Sequence, residues 1–333
     1  MNVLVTGGTG FLGLALCRAL RARGDTVASL ARARTPELDA LGVEQFEGDV
    51  ADLDAVLRAS RGREAVVHTA AKAGAWGRLE DYYAANVRGT DNVLAACGMN
   101  GVARLVHTST PSVVHAGGDL EGVDESTPYA RHFLAHYPAT KKIAEQRVLA
   151  ANSPTLGTIA LRPHLIWGPG DNQLLPRIAD RARRGRLRFI GDPGKRIDVT
   201  YIDNAVQAHL DALDRLAPGA ACAGRAYFIS DGEPVSTEGI VNSLLRAVGV
   251  APESRRLPRG FAYAVGLVLE KVYALFGIEA EPPLTRFVVE QLSTSHWFDL
   301  GAARRDLGYV PRVTTNEGLA RLGEQHLRAR MGK

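Results

Sequence analysis

Cysteine is scarce in this chain, and its scarcity excludes two kinds of site. Only three cysteines occur among 333 residues, and they lie far apart, at Cys17, Cys97 and Cys222. An odd number of distant cysteines provides neither a disulfide framework nor a metal-binding pair, and it is typical of proteins in a reducing cytosol. We therefore expect a cytoplasmic protein with no metal site.

A long uninterrupted apolar run is also lacking. The longest apolar stretch, residues 261–276, is broken by Glu270 and Lys271 and falls short of the ~20 apolar residues that span a bilayer. The first residues already have the composition of a strand, so no signal peptide is expected ahead of the fold. We expect no transmembrane segment.

Within that stretch, apolar residues recur at helical spacing, which predicts a helix with one continuous apolar face. These residues are Phe261, Val265, Val268, Val272 and Leu275. A helix whose apolar face packs on the core is the expected arrangement. A lid, a partner surface and a shallow membrane contact are the alternatives.

Positive charge is not concentrated enough to indicate a nucleic-acid partner. The formal net charge is +4, and the densest basic segment, residues 181–188, has no aromatic residue among its arginines. Such a segment is typical of a solvated helix end. We expect a small-molecule substrate and no nucleic acid.

Short apolar strands alternate with helical patterns through the first half of the chain. Strands are predicted at 2–6, 26–30, 43–47, 65–69, 104–108 and 158–161. Helical spacing lies between most of them, as at 11–23 and 82–97. This alternation predicts right-handed βαβ units and an α/β fold with a Rossmann-type, doubly wound parallel sheet.

Proline and glycine become frequent after about residue 168, where helical patterns dominate. We therefore predict two parts. A dinucleotide-binding domain covers residues 1–168, with 196–230 returning to its sheet. A smaller, mainly helical substrate-binding part covers residues 169–195 and 231–333.

A glycine-rich turn follows the first strand and opens the first helix. The sequence TGGTGFLG at 6–13 stands in the strand–turn–helix context that a dinucleotide fingerprint requires. Glycines allow the tight turn and the close approach of a pyrophosphate, which then lies at the positive end of the helix. A glycine-rich turn without a ligand is the alternative. The residues expected to bind the cofactor here are Gly7, Thr9, Gly10, Phe11, Leu12 and Gly13.

The end of the second strand discriminates between NAD and NADP. An acidic residue there binds the ribose 2′-hydroxyl, whereas arginine pairs with a 2′-phosphate through two hydrogen bonds. Residues 29–34 contain no acid but include Arg32 and Arg34. This favours NADP(H), with solvated arginines as the alternative. After the third strand, Asp49 and Val50 are placed to bind the adenine, and Asp49 is also suited to cap the next helix.

A tyrosine and a lysine four residues apart open a helical segment after the fifth strand. Tyr137 and Lys141 lie one turn apart on one face, and Pro138 suits a first turn. The fifth strand ends in the hydroxyl residues 108–110, at the sheet edge where ligands of open α/β sheets bind. This order along the chain, more than the spacing itself, indicates a catalytic site. A surface pair is the alternative.

Ketone reduction needs these residue types. Hydride arriving at a carbonyl carbon builds negative charge on the oxygen, so a proton donor must lie beside it. A phenol has a pKa of about 10, and an ammonium ~4 Å away lowers it by up to about three units before desolvation is subtracted. We expect Tyr137 to donate the proton, and Lys141 to lower the pKa of the phenol and to hold the nicotinamide ribose. A hydroxyl of Thr110 or Ser109 would orient the carbonyl oxygen.

Together, TGGTGFLG, the Thr-Ser-Thr strand end and YPATK resemble the extended short-chain dehydrogenase/reductase family over essentially the whole chain. The resemblance implies that Tyr137, Lys141 and Thr110 are catalytic, although serine is commoner than threonine at the last position. It places the active-site asparagine of the family on Asn86. It also implies cofactor contacts at the strand ends and on the catalytic helix: Ala70, Ala71, Lys72, Thr108, Tyr137, Lys141, Pro163 and His164.

Other segments narrow the resemblance. HTAA at 68–71, LRPHLIWGPGD at 161–171 and YIDN at 201–204 are similar to the 3β-hydroxysteroid dehydrogenase branch. AKAGAWG at 71–77, TSTPSV at 108–113 and QLSTSHW at 291–297 are similar to the 2-alkyl-3-oxoalkanoate reductases of bacterial long-chain olefin biosynthesis.

This narrower resemblance implies NADPH-dependent reduction of a long-chain 2-alkyl-3-keto acid to the 2-alkyl-3-hydroxy acid. The family commonly dimerises through helices equivalent to 82–97 and 137–151. A homodimer is therefore expected, with a larger assembly of olefin-pathway enzymes as its extension.

The sequence says less about the residues that would contact the substrate. Trp76 follows the fourth strand, where it would either line a channel for an acyl chain or pack against neighbouring residues. Arg286 and Arg196 are candidate partners of a substrate carboxylate, although each is more typical of a surface charge. His115 and His296 are expected to be structural, because the tyrosine already supplies the proton.

Three other functions fit parts of the pattern. A 3β-hydroxysteroid or sterol-4-carboxylate dehydrogenase would be expected to prefer NAD, against which Arg32 argues. Nucleotide-sugar dehydratases carry an acidic pair after the catalytic threonine, where this chain has Pro111 and Ser112; epimerases belong to the same class. Non-catalytic NADP sensors usually lack the tyrosine or the lysine, and both are present here.

Overall fold

The computed structural model describes residues 1–331. Over this range the strands are, in chain order, β1 (Asn2–Thr6), β2 (Thr26–Ala31), β3 (Glu44–Glu47), β4 (Ala65–His68), β5 (Arg104–Thr108), β6 (Leu120–Val123), β7 (Gly157–Pro163), β8 (Ile166–Trp167), β9 (Phe189–Ile190), β10 (Arg196–Ile197), β11 (Thr200–Tyr201), β12 (Arg225–Ile229), β13 (Val235–Ser236), β14 (Arg256–Leu257) and β15 (His296–Phe298).

The α-helices over the same range are α1 (Phe11–Ala22), α2 (Pro36–Ala40), α3 (Leu53–Ser60), α4 (Leu79–Tyr82), α5 (Gly89–Asn100), α6 (His136–Ala150), α7 (Leu174–Arg183), α8 (Ile202–Arg215), α9 (Thr237–Ala247), α10 (Arg259–Leu275), α11 (Arg286–Ser293) and α12 (Thr315–Met331). A π-helical segment, Tyr83–Arg88, joins α4 to α5, and a second one, Ala303–Leu307, precedes α12. A 3₁₀ turn, Pro111–Val113, follows β5.

Within residues 1–331, seven parallel strands form the central sheet, in the order β12-β7-β5-β4-β1-β2-β3. The order reverses at β1, because β2 and β3 lie on one side of it and β4, β5 and β7 on the other. The predicted doubly wound α/β fold is confirmed. The crevice where the order reverses is the place at which open sheets of this kind bind their ligands.

Helices cover both faces of the sheet, as β1 illustrates. Val3 and Val5 join the apolar cluster that includes α1 and α8, whereas Leu4 joins the cluster that includes α3 and α5. All three side chains are fully buried. Burial of such a side chain stabilises the fold by roughly 1.5–3 kcal/mol. Inner strands such as β1 and β4 read as continuous apolar runs because both of their faces are buried.

A second sheet lies outside the central one, with the strand order β13-β10-β15-β6. The expectation that the C-terminal part is mainly helical overlooked this sheet. Its strands are only two to four residues long. Strands this short show no alternating pattern from which a sequence could predict them.

Helix α10 is oriented opposite to the expectation. Phe261, Val268 and Leu275, placed on its core side by the sequence pattern, are 59%, 59% and 80% exposed. The buried side instead carries Ala262, Gly266 and Glu270, and at Gly266 the backbone of α11 is so close that a Cβ would lie 3.0 Å from the nitrogen of Arg286. Of the helices within residues 1–331, none combines the length and the apolar character needed to cross a membrane.

Candidate active site

The glycine-rich turn lies between β1 and α1, at the point where the sheet order reverses. Gly7 has φ +74°, which residues with a side chain rarely adopt. A Cβ on Gly7 would lie 2.9 Å from Cα of Ala70, and one on Gly13 would overlap the Gly7 carbonyl group. Gly10 precedes α1 without a side-chain cap, so the first N–H groups of the helix face outward unsatisfied. This cradle fits the pyrophosphate of a dinucleotide.

Arg32 lies just beyond β2 and is exposed. No salt bridge within residues 1–331 involves it, whereas Arg34 pairs with Asp39 at 3.3 Å. Of the two arginines, Arg32 therefore has its guanidinium group available for a phosphate.

Asp49 lies past the end of β3 and is exposed. One of its carboxylate oxygens accepts a hydrogen bond from the backbone N–H of Ala51 at 2.9 Å. Helix α3 is instead capped by Asp52, which accepts from the N–H of Asp54 at 3.0 Å. The suggestion that Asp49 caps this helix was wrong. Its second carboxylate oxygen remains suited to the adenine amine, beside buried Val50.

The loop after β4 passes beside the glycine turn. The backbone N–H of Ala70 donates to Oγ1 of Thr6 at 3.3 Å. The ammonium of Lys72 pairs with Asp81 at 2.8 Å, near the surface. The backbone of Ala70 therefore lies against the glycine turn, whereas the Lys72 side chain is engaged by Asp81.

Asn86 lies in the π-helical segment, where the sequence predicted a regular helix. Its amide binds the backbone of Lys72 twice, accepting from N–H at 2.7 Å and donating to the carbonyl oxygen at 3.0 Å. The same amide nitrogen donates to Thr140 at 3.0 Å. Asn86 thus connects the cofactor-side loop to α6 and holds both in place.

Lys141 is buried in α6 and points toward β5. Its Nζ donates to the carbonyl oxygen of Thr108 at 2.6 Å and lies 3.1 Å from Nε2 of His107. Burial lowers the pKa of Lys141 to about 7. The sequence analysis missed His107, because a lone histidine within an apolar strand is typical of a core residue. Its position directly before the hydroxyl strand end was the available signal.

Tyr137 occupies the first turn of α6, opposite the end of β5. Burial raises the pKa of Tyr137, and a hydrogen bond with the Thr110 hydroxyl partly offsets this effect. The ammonium of Lys141 bonds instead to the end of β5, at the Thr108 carbonyl oxygen and at His107. The expected lowering of the Tyr137 pKa is wrong for this structure, in which burial raises it. The hydroxyl of Ser109 is buried and unpartnered among the described residues.

Three buried histidines form a cluster beyond the end of β7. His164 lies 4.8 Å from His296 between ring centroids, and His115 lies 5.5 Å from His296. Burial lowers the pKa of His164 to about 3 and that of His115 to about 4, so these rings are neutral at physiological pH. His164 follows Pro163, and its Nδ1 lies 2.5 Å from the carbonyl oxygen of Asp198.

A cavity of about 580 Å³ opens beside the start of α6. Its wall combines the loop after β4, the residues before Tyr137 and one side of α10: Ala75, Trp76, Gly77, Phe133, Leu134, Ala135, His136, Leu267, Glu270, Lys271, Ala274 and Arg286. Trp76 donates from Nε1 to the carbonyl oxygen of Ile278 at 3.1 Å, which ties the loop to the segment after α10.

Neither arginine suggested for a substrate carboxylate is unpaired. Arg286 lines the cavity, but its Nε donates to Glu270 at 2.6 Å, and its backbone N–H donates to the same carboxylate at 2.7 Å. Arg196 lies on β10 and donates to the carbonyl oxygen of Pro234 at 2.6 Å. Each guanidinium group already has a partner within the chain.

A family model described as the 3-beta hydroxysteroid dehydrogenase/isomerase family matches residues 4–259. The chain belongs to this family. The match spans the glycine turn, Asn86, Thr110 and the Tyr137–Lys141 pair. The predicted oxidoreductase class is confirmed, and the family depends on a nicotinamide dinucleotide.

Relatives of the family match nearly the whole chain. The chain is 56% identical to 2-alkyl-3-oxoalkanoate reductase from Stenotrophomonas maltophilia, over 97% of its own length and 98% of the relative. It is 47% identical to the protein of the same name from Shewanella oneidensis, over 96% and 85%. A solved structure, UDP-glucose 4-epimerase from Thermus thermophilus with NAD, shares the fold at a TM-score of 0.75, 26% identity and coverage of 99% and 100%. The predicted resemblance to these reductases is confirmed.

Proposed function

We propose that this protein reduces the 3-keto group of a 2-alkyl-3-oxoalkanoic acid to the 2-alkyl-3-hydroxyalkanoic acid, with NADPH as reductant. The observation that carries the proposal is the 56% identity to a 2-alkyl-3-oxoalkanoate reductase over nearly the full length of both chains. The site supports it, because Thr110, Tyr137 and Lys141 lie at the same edge of the sheet as the glycine cradle.

The residues divide the chemistry among them. When bound, the reduced nicotinamide supplies a hydride to the carbonyl carbon. Tyr137 donates the phenolic proton to the carbonyl oxygen as negative charge builds there. Because burial raises its pKa, the phenol stays protonated at neutral pH, which suits the direction of reduction. Thr110 orients the same oxygen through its hydroxyl.

NADP is preferred over NAD in this proposal. The support is Arg32, which is exposed beyond β2 and has no salt-bridge partner within residues 1–331. A guanidinium group binds a phosphate with two hydrogen bonds, whereas no acidic side chain in 29–34 is present to bind the ribose 2′-hydroxyl.

The cavity beside α6 is the proposed site of an alkyl chain. It begins at His136, the neighbour of Tyr137, so a substrate held at the phenol can extend into it. Trp76, Phe133 and Leu267 supply apolar lining of the kind that buries hydrocarbon. Burial of each methylene group stabilises the complex by about 0.8 kcal/mol.

The proposal is tested by following NADPH consumption with three substrate classes: 2-alkyl-3-keto acids, unbranched 3-keto acids and 3-ketosteroids. We expect the highest kcat/KM with the 2-alkyl acids, because only they carry a second alkyl chain, on the carbon next to the reacting carbonyl group. Turnover confined to steroids would identify a 3β-hydroxysteroid dehydrogenase instead. NADPH binding without turnover of any ketone would identify a sensor.

We further propose a cytosolic homodimer that joins a larger assembly of pathway enzymes. The dimer would form through α5 and α6, the helices through which enzymes of this family commonly dimerise. Met99 at the end of α5 is 69% exposed, and all three cysteines are buried and free, as a reducing compartment allows. Light scattering of the purified protein gives the mass, and a monomer at micromolar concentration would overturn the dimer.

A further inference from the structure

Three histidines lie near Lys141 and the strand ends, and two of them have both ring nitrogens bonded. His68 contacts the hydroxyls of Thr6 at 2.7 Å and Thr90 at 3.0 Å. His209 contacts Oγ1 of Thr108 at 2.8 Å and a backbone carbonyl oxygen on its own helix at 2.7 Å. Such rings are satisfied core residues.

His107 differs from both. Its Nδ1 is buried and has no hydrogen-bond partner among the described residues, and its Nε2 contacts Nζ of Lys141 at 3.1 Å. The ammonium is therefore the partner of the imidazole within residues 1–331. A lysine ammonium has only donors, so Nε2 must accept, and the ring proton is assigned to Nδ1.

The ammonium in turn depends on two acceptors. Lys141 is buried, and its Nζ donates to the carbonyl oxygen of Thr108 at 2.6 Å and to His107. An ammonium has three protons, so one remains for the cofactor side of the crevice. Removing either acceptor leaves a buried donor unsatisfied and disfavours the charged form.

We propose that His107 is a positioning residue of the active site, whose Nε2 lone pair orients Lys141 and keeps it charged. This inference rests on the proposed function only in that Lys141 is taken to serve ketone reduction. The contact also gives a reason for a polar ring at this buried position of β5.

The other titratable groups around this pair do not replace the contact. Glu145 faces Lys141 from the same helix, but its carboxylate is held by Arg162 in a buried pair. The titratable groups that act on the charge of this pair are His68 on β4, His209 on α8 and Glu145 on α6.

The sign of the effect follows from the charge of lysine. Lys141 is charged below its pKa, which burial already lowers to about 7. Loss of the His107 acceptor lowers this pKa further, so the charge is lost at a lower pH. The alkaline limb of the pH profile of kcat/KM then moves toward lower pH by the same amount.

The experiment compares His107→Phe, which lacks a lone pair, with His107→Gln, whose amide oxygen reaches the position of Nε2. In His107→Asn the side-chain amide is too short to reach Lys141. This variant therefore removes the acceptor while keeping a polar side chain at the position. The titration of Lys141 is measured by NMR of protein labelled at the lysine Cε. The chain has six lysines, and Lys141→Met assigns the signal.

We expect the Lys141 midpoint to fall by about one pH unit in His107→Phe and His107→Asn, as expected for one lost hydrogen bond to a charged group. His107→Gln should keep the wild-type midpoint. His68→Phe, a change to the neighbouring buried ring that does not contact Lys141, should also leave it unmoved. The alkaline limb of kcat/KM should follow the NMR midpoint in each variant.

An unchanged midpoint in His107→Phe and His107→Asn would overturn the inference. An equal shift in His107→Gln would also overturn it, because packing and not the lone pair would then be responsible. The NMR titration needs no substrate. If the midpoint shifts as expected and no keto acid is turned over, the proposed function fails while the role of His107 stands.

Discussion

At the scale of single residues, the site contains a phenol and an ammonium whose pKa values burial shifts in opposite directions. Burial raises the pKa of Tyr137, which keeps the phenol protonated, and lowers the pKa of Lys141 to about 7. The sequence indicated Tyr137, Lys141 and Thr110 because their order along the chain follows the strands of a doubly wound sheet. It did not indicate that Lys141 points at β5, because the direction of a side chain depends on packing between elements distant in sequence.

The Thr110 hydroxyl is expected to contribute to the transition state. Thr110→Val removes the hydroxyl at nearly constant volume and should lower kcat by about 10²-fold, the usual effect of losing one donor to a developing oxyanion. Thr110→Ser keeps the hydroxyl and should retain most of the activity. Steady-state kinetics on the 2-alkyl-3-keto acid measures both, and equal rates for the valine and serine variants would argue against this role.

Arg32 is expected to set the cofactor preference. Arg32→Asp replaces a phosphate-binding group by a carboxylate that repels phosphate, so the ratio of kcat/KM with NADPH to that with NADH should fall by tenfold or more, equivalent to at least about 1.4 kcal/mol. Arg34→Asp is the matched control, because Arg34 already pairs with Asp39. Similar ratios in wild type and Arg32→Asp would contradict the preference for NADP.

At the scale of elements, α6 is joined to β7 by a buried ion pair. Arg162 donates to both carboxylate oxygens of Glu145, at 3.0 Å through Nε and at 2.6 Å through Nη2, and Tyr129 donates to the same carboxylate at 2.7 Å. Both charged side chains are almost fully buried. The pair therefore holds the catalytic helix on the sheet, and each of its two charges neutralises the other.

Breaking this pair should be costly. Glu145→Gln leaves the Arg162 guanidinium buried without a counter-charge, which we expect to lower the free energy of unfolding by roughly 3 kcal/mol or more. Arg184→Gln breaks the exposed pair with Asp180 and should cost less than about 1 kcal/mol. Urea denaturation followed by circular dichroism measures both. Equal losses in the two variants would show that α6 does not depend on the pair.

The elements also show where sequence-based prediction succeeds. Six of the seven strands of the central sheet were predicted, and inner strands such as β1 and β4 were visible as apolar runs because both of their faces are buried. The edge strand β12 was not predicted as a strand, although it lies within the segment 196–230 that was expected to return to the sheet. β10 and β15 were not predicted either, since a strand of two or three residues shows no periodic pattern. The face of α10 was misjudged because its apolar residues are exposed, while Gly266 allows the close approach of α11. The π-helical segment around Asn86 was not predicted, and the hydrogen bonds of Asn86 there join residues distant in the sequence, which local patterns do not show.

At the scale of the whole molecule, the fold buries many neutral imidazoles. Burial lowers the pKa of His68 and His164 to about 3, that of His115 and His209 to about 4, and that of His107 well below the usual value. Two buried carboxyl groups shift the opposite way, since burial raises the pKa of Asp198 to about 6 and of Asp231 to about 7.

These shifts predict acid sensitivity. Between pH 6.5 and about 4 the unfolded histidines bind protons that the folded ones do not, so their contribution to stability is lost as the pH falls. The two aspartates oppose this, because their folded forms are the more protonated ones in the same window. Near pH 5 the buried histidines outnumber the two aspartates, so unfolding takes up protons and the free energy of unfolding falls as the pH falls. Urea unfolding at pH 7 and pH 5 measures it, and equal stability at both values would contradict this balance.

The central claim is that Tyr137 is the proton donor of a ketone reduction. Tyr137→Phe removes one oxygen atom and keeps the ring, so it separates chemistry from binding. The most direct measurement follows single-turnover NADPH oxidation by this variant with a 2-alkyl-3-keto acid, together with the fluorescence of bound NADPH. We predict wild-type NADPH affinity and a rate lowered by at least about 10²-fold. A variant that oxidises NADPH at the wild-type rate would contradict the account.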